Sequence, residues 1–95
     1  MSIKVMIKRN VPQYTEAELM ELITEMRILT TQQPGYISGE TLKRVDRTGH
    51  NLVISTWQSM EDWERWFRSE ERSLIQEKID ALVGKTTEFK IYNHD

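Results

Sequence analysis

The 95-residue sequence predicts an α+β fold of the ferredoxin-like βαββαβ type, built as one domain over residues 1–95 with a four-stranded antiparallel sheet. Three observations predict it. Short segments alternate apolar and polar side chains with period two, two longer segments repeat them with helical spacing, and turn-forming residues separate them. The resulting order is strand, helix, strand, strand, helix, strand. Right-handed crossovers then place both helical regions on one sheet face.

The first strand covers residues 3–9, where Ile3, Val5 and Ile7 alternate with Lys4, Met6 and Lys8. Val11-Pro12 ends it, because proline cannot donate to a ladder and restricts the residue before it. Thr15 followed by Glu18 has the spacing of a capping box and opens the first helix. Leu19, Leu22, Ile23, Met26 and Leu29 form its apolar stripe, and Pro34-Gly35 stops it. Residues 36–45 and 51–57 read as a hairpin joined by the polar loop Asp46-Arg47-Thr48-Gly49-His50. Ser59 is placed to cap the next helix, with Glu61 and Asp62 beside its positive end. Ser69, followed by Glu70 and Glu71, is a second cap, so the helical region is expected to break there. Gly84 ends it after Leu74, Ile75, Ile79 and Leu82. A fourth strand over 86–92 carries Phe89 and Ile91 on one side, and the tail Asn93-His94-Asp95 is expected to fray.

Composition narrows the functional classes. A net charge of −2 gives no general attraction for nucleic acid or an anionic membrane. No apolar run approaches bilayer length and the first residues lack a secretory pattern, so the expected location is cytoplasmic. Without cysteine there are no disulfides, thiolate metal sites or thiol nucleophiles, and the two histidines do not cluster with carboxylates. No metal site is expected. His50 and His94 are both expected to face solvent.

An uncovered sheet face predicts a partner. One alternating set offers Ile3, Val5, Ile7, Leu52, Ile54, Phe89 and Ile91, and the other Met6, Val53, Trp57, Tyr36 and Tyr92 among charged residues. Neither set resembles a solvated face. Covering hundreds of Å2 at about 25 cal/mol per Å2 stabilises by several kcal/mol before ordering costs, which favours a homodimer.

Two groups of residues could carry chemistry. Met60, Trp63, Trp66 and Phe67 share a helical face that reads either as core packing or as the wall of a pocket for a flat aromatic ligand. Asn10, at the end of the first strand, either caps the turn or directs its carboxamide at a bound oxygen atom. Arg65, Arg68 and Arg72 read as a solvated strip flanking carboxylates.

The runs Pro34-Gly35-Tyr36, Val53 to Trp63 and Trp66-Phe67-Arg68-Ser69 resemble the antibiotic biosynthesis monooxygenase domain, and the likeness extends over nearly the whole chain. The resemblance implies a dimeric α/β barrel. It implies oxygenation of a small aromatic or phenolic substrate with no cofactor, with Asn10 and Trp66 catalytic and Trp57, Trp63, Phe67 and Met60 lining the substrate site. The haem-degrading branch of the family places an iron-ligating histidine two to three turns after the matching tryptophan. Here Gln76 stands there, a poor ligand for haem iron. The alternative to an enzyme is a non-catalytic dimeric module that binds a small aromatic molecule or serves in a stress response, distinguished by saturable tryptophan quenching without chemical change.

Overall fold

A computed structural model describes residues 2–12, 15–84 and 87–93. The elements are β1 (Ile3–Asn10), α1 (Glu16–Thr31), β2 (Tyr36–Lys43), β3 (His50–Trp57), α2 (Met60–Phe67), α3 (Glu70–Val83) and β4 (Glu88–Asn93). The strands form one antiparallel sheet in the order β2-β3-β1-β4. This is the ferredoxin-like α+β arrangement that the element order predicted. Thr86 and the tail residues His94 and Asp95 lie outside the described residues.

Strand register decides what faces the helices. β1 pairs with β3 through Ile3–Trp57, Val5–Ser55, Ile7–Val53 and Arg9–Asn51, and with β4 through Val5–Ile91 and Ile7–Phe89. Directly paired residues share a face. The helix-covered layer therefore holds Ile3, Val5, Ile7, Arg9, Val53, Ser55 and Trp57. Val53, Trp57 and Tyr36 thus lie on the covered side, whereas Leu52 and Ile54 lie opposite Lys8 and Met6 on the open side. That reverses the grouping expected for β3 and Tyr36, because alternation within a strand does not reveal the register between strands. The open face still carries half-exposed Leu42 and Tyr92 and part-buried Met6, Leu52 and Ile54 among Lys4, Lys8 and Lys90.

The helices close over the other side. Leu19, Ile23 and Met26 of α1 and Ile75, Ile79 and Val83 of α3 join Trp63 and Trp66 of α2 on the β1 row. Ser59 and Ser69 cap as expected. Each hydroxyl oxygen accepts from the backbone N–H three residues on, at Asp62 and Arg72, both at 3.2 Å. The chain between the caps turns through Arg68, so α2 and α3 are separate helices. The Thr15–Glu18 capping box does not form. Thr15 sits at φ −108° and ψ 5°, not in the extended conformation of a cap, and its hydroxyl donates back to the Pro12 carbonyl at 3.0 Å. Gly35 adopts φ +85°, and a Cβ there would collide with the Asp62 side chain. The glycine lets the start of β2 lie directly against the first turn of α2.

Candidate functional site

A cavity of about 470 Å3 opens between α1 and the α2–α3 pair, above the β2 half of the sheet. Its floor is Ile7, Arg9, Val53 and Ser55, and α1 contributes Ile23, Met26 and Arg27. Trp63, Trp66 and Arg72 form the facing wall. The two indoles lie three residues apart on α2, so both turn inward, and each is only 3% exposed. Tyr36 also borders the cavity. A Cβ on Gly39 would stand 2.6 Å from the Tyr36 hydroxyl oxygen, so Gly39 leaves the space in which that ring end packs.

The cavity's polar end is cationic. Arg9 continues the Ile3, Val5, Ile7 row and is 5% exposed, yet its Nε is buried without a hydrogen-bond partner among the described residues. Arg72, also 5% exposed, lies on the apolar face of α3 that includes Ile75 and Ile79. Its guanidinium carbon sits 4.5 Å from the Phe67 ring centroid and 5.1 Å from that of Phe89, within cation–π range. Nη1 donates to the Phe67 carbonyl and Nη2 to Gln76 Oε1, both at 3.4 Å. Gln76 Nε2 in turn donates to Asp80 Oδ1 at 2.9 Å. Among the described residues the ion pairs are Arg44–Asp46 and Arg65–Asp62, and neither Arg9 nor Arg72 takes part in one.

Burial accordingly lowers the pKa of both groups. Loss of hydration pushes Arg72 down to about 10, and repulsion from Arg9 adds to this while Asp80 opposes it. Arg9 is lowered by the same loss of hydration. Asp80 opposes that shift, and Arg27 adds to it. A pair of dehydrated guanidinium groups that share one distant carboxylate forms a positive pocket suited to an anion.

The structure brings together only part of the expected site. Trp63 and Trp66 line the cavity. Trp57 is fully buried but lies outside it. Its Nε1 donates to Ser55 Oγ at 3.0 Å, and its ring packs edge-on against Tyr36 and Trp63. Phe67 and Met60 are each 39% exposed and do not line the cavity, although Phe67 backs Arg72. Asn10 is exposed on the opposite sheet face, paired with His50. Regular alternation along β1 separates it from Trp66, and the β1 residues that line the cavity are Ile7 and its neighbour Arg9. Arg72 is likewise a buried pocket residue, not part of a solvated strip.

A signal for both arginines was present in the sequence. Arg9 stands two residues beyond Ile7, and Arg72 stands three before Ile75 and seven before Ile79. Each therefore occupies a core-facing position. Gln76 is bonded to Arg72 and Asp80, and none of the described residues lining the cavity is a histidine, so this lining offers a haem iron no imidazole ligand. Among these residues there is no cluster suited to a metal ion, and no helix is long and apolar enough to cross a membrane.

A family sequence model described as antibiotic biosynthesis monooxygenase matches residues 2–78. Among curated proteins, none matches. Several solved structures do. A conserved protein from Methanosarcina mazei Go1 superposes with a TM-score of 0.91 at 20% identity, covering 100% of this chain and 94% of that one. SnoaB from Streptomyces nogalater, a cofactor-independent oxygenase, gives 0.87 at 16% identity over 99% and 93% of the two chains. Rv0793 from Mycobacterium tuberculosis gives 0.88 at 13% identity over 100% and 96%. At these identities the superpositions establish a shared fold.

Proposed function

Since the chain belongs to the antibiotic biosynthesis monooxygenase family, we propose that it is a monooxygenase that needs no cofactor and oxidises a small aromatic or phenolic substrate between α1 and the α2–α3 pair. The observation that carries this reading is the cavity of about 470 Å3, with two buried indoles as its wall and two buried guanidinium groups at its polar end. Such a volume suits a bicyclic or tricyclic ring system, and the indole faces provide flat apolar contact for it. The structural likeness to SnoaB supports the oxygenase reading.

The chemistry needs little from the protein beyond stabilisation of charge. An anthrone-type substrate loses a proton from its methylene carbon to become a phenolate. The phenolate gives an electron to molecular oxygen, and a carbon–oxygen bond then forms at that carbon. Cleavage of the oxygen–oxygen bond leaves a carbonyl on the ring, and the second oxygen departs as water with the two methylene hydrogens. Arg9 and Arg72 favour the phenolate by their positive potential, Trp63 and Trp66 hold the ring, and the surrounding apolar side chains limit water. Arg9 takes the part that the resemblance gave to Asn10. A second copy covering the open sheet face belongs to the same reading, and sedimentation at high dilution tests it.

The decisive experiment is oxygen uptake with anthrone-like and hydroquinone substrates. Turnover is expected in the wild type, with a loss of about tenfold or more, equivalent to 1.4 kcal/mol, in Trp66→Phe. Saturable binding of the same compounds without oxygen consumption would identify a non-catalytic module. Loss of turnover in Asn10→Ala with full turnover in Arg9→Met would return the polar role to Asn10.

A further inference from the structure

The cationic end of the cavity exceeds what a lone phenol requires. Arg9, Arg27 and Arg72 all line it, and Glu40, the acidic residue of the lining, pairs with Ile54 and so turns its carboxylate to the open sheet face. Arg27 Nη2 already donates to Thr41 Oγ1 at 3.1 Å, and Arg72 is engaged by Phe67 and Gln76. Arg9 differs from both. Like Arg72 it is buried and in no ion pair among the described residues, but its buried Nε has no hydrogen-bond partner among them. A buried donor without an acceptor is costly, and a charged one more so. A ligand that supplies the acceptor recovers that cost.

We propose that the cavity selects aromatic substrates bearing a carboxylate, and that Arg9 is the specificity-determining residue that binds this group. The proposal rests on reading the cavity as the substrate site, and it narrows the substrate class. A carboxylate fits better than a phenol for two reasons. It is ionised throughout the neutral range, whereas a phenol with a pKa near 10 is mostly protonated there. It also presents two coplanar oxygens, which match the planar donor fork of a guanidinium. With the acid held at Arg9, the ring extends along the floor towards Trp63 and Trp66, which border the same space. The anchor thereby orients the ring before oxygen reacts.

The test is calorimetric titration at about 0.15 M salt with 2-naphthoate and its uncharged counterpart 2-naphthalenemethanol. The acid is expected to bind the wild-type protein at least about tenfold more tightly than the alcohol. Arg9→Met should remove that preference, while Arg9→Lys, which keeps the charge and loses the fork, should keep part of it. Equal binding of acid and alcohol by the wild type would overturn the proposal, as would undiminished acid preference in Arg9→Met. If Arg9→Met does not fold, the wild-type comparison and Arg9→Lys decide. Acid binding without oxygen uptake supports this proposal while counting against the oxygenase reading. Oxygen uptake with no preference for acids does the reverse.

Discussion

The two ends of the β1 row are built to one pattern and do opposite things. At one end Ile3 pairs with Trp57, both are almost fully buried, and the indole N–H is satisfied by Ser55. At the other end Arg9 occupies the same layer and is also buried, but its Nε finds no partner among the described residues and the space beside it is open. Alternation along β1 thus sets which of its side chains enter the interior, while the residue type decides whether the space beside each is filled. A local rule is kept at the Trp57 end and broken at the Arg9 end, and such breaks concentrate where proteins act on other molecules.

This contrast can be attacked at both ends. The largest effect is expected at the packed end. Trp57→Ala should cost about 3–5 kcal/mol of unfolding free energy, because the site is fully buried and closely surrounded. Urea denaturation measures it, and a cost below about 1 kcal/mol would show that this end is not the dry anchor. The opposite sign is expected at the hollow end. Arg9→Met keeps a long side chain and removes a dehydrated charge, so it should stabilise the fold by roughly 1–3 kcal/mol while removing acid binding. A destabilised Arg9→Met protein would mean that the guanidinium serves the fold.

The next effect is a pH dependence. Burial lowers Arg72 to about 10 from its ordinary value, so the folded protein releases this proton before the unfolded chain does. The unfolded state then binds more protons above about pH 10, and stability attributable to Arg72 should rise there with pH. Anion binding has the opposite trend. Affinity for 2-naphthoate should hold to about pH 9 and fall as Arg72 loses its charge, with Arg9 and Arg27 the other charged groups lining this space and Asp80 the carboxylate that acts on Arg9 and Arg72. Calorimetry across pH 7–11 checks the fall, and a flat profile would remove Arg72 from the binding field. The smallest effects belong to the helix starts. Ser59→Ala and Ser69→Ala should each cost about 1 kcal/mol, and Thr15→Ala a few tenths, since only the two serines accept a capping hydrogen bond. Thermal melts of the three variants compare them directly.

Much of this architecture is legible in the amino-acid sequence. The element order, the break at Ser69 and the inward-facing Trp66 follow from local signals, namely period, cap and punctuation, that act within a few residues. What was not legible depends on contacts distant in sequence. The register that pairs Trp57 with Ile3 joins residues more than half the chain apart, and it alone decides the side on which Leu52 and Ile54 emerge. Arg9 was hidden for a different reason. It follows Lys8 and precedes Asn10, in company that looks solvated, although its position in the alternation was that of a core residue. Residue type outweighed position, and at the cavity position was the better guide. Thr15 shows the converse. Its side chain suits a cap and the spacing to Glu18 is right, but the backbone conformation that a cap requires is absent.

Arg9 and Asn10 are neighbours on opposite sides of one strand, and that adjacency makes the chemistry of this chamber unusually easy to rewrite. A bulge formed in β1 ahead of them, at unchanged chain length, would reverse the facing of the two, turning the neutral amide to the chamber floor and the cation to the uncovered surface. No helix would have to move and no wall residue would have to change. The charge of this chamber's floor therefore hangs on the regularity of one strand end, where a local irregularity in pairing would change it without any change in the walls.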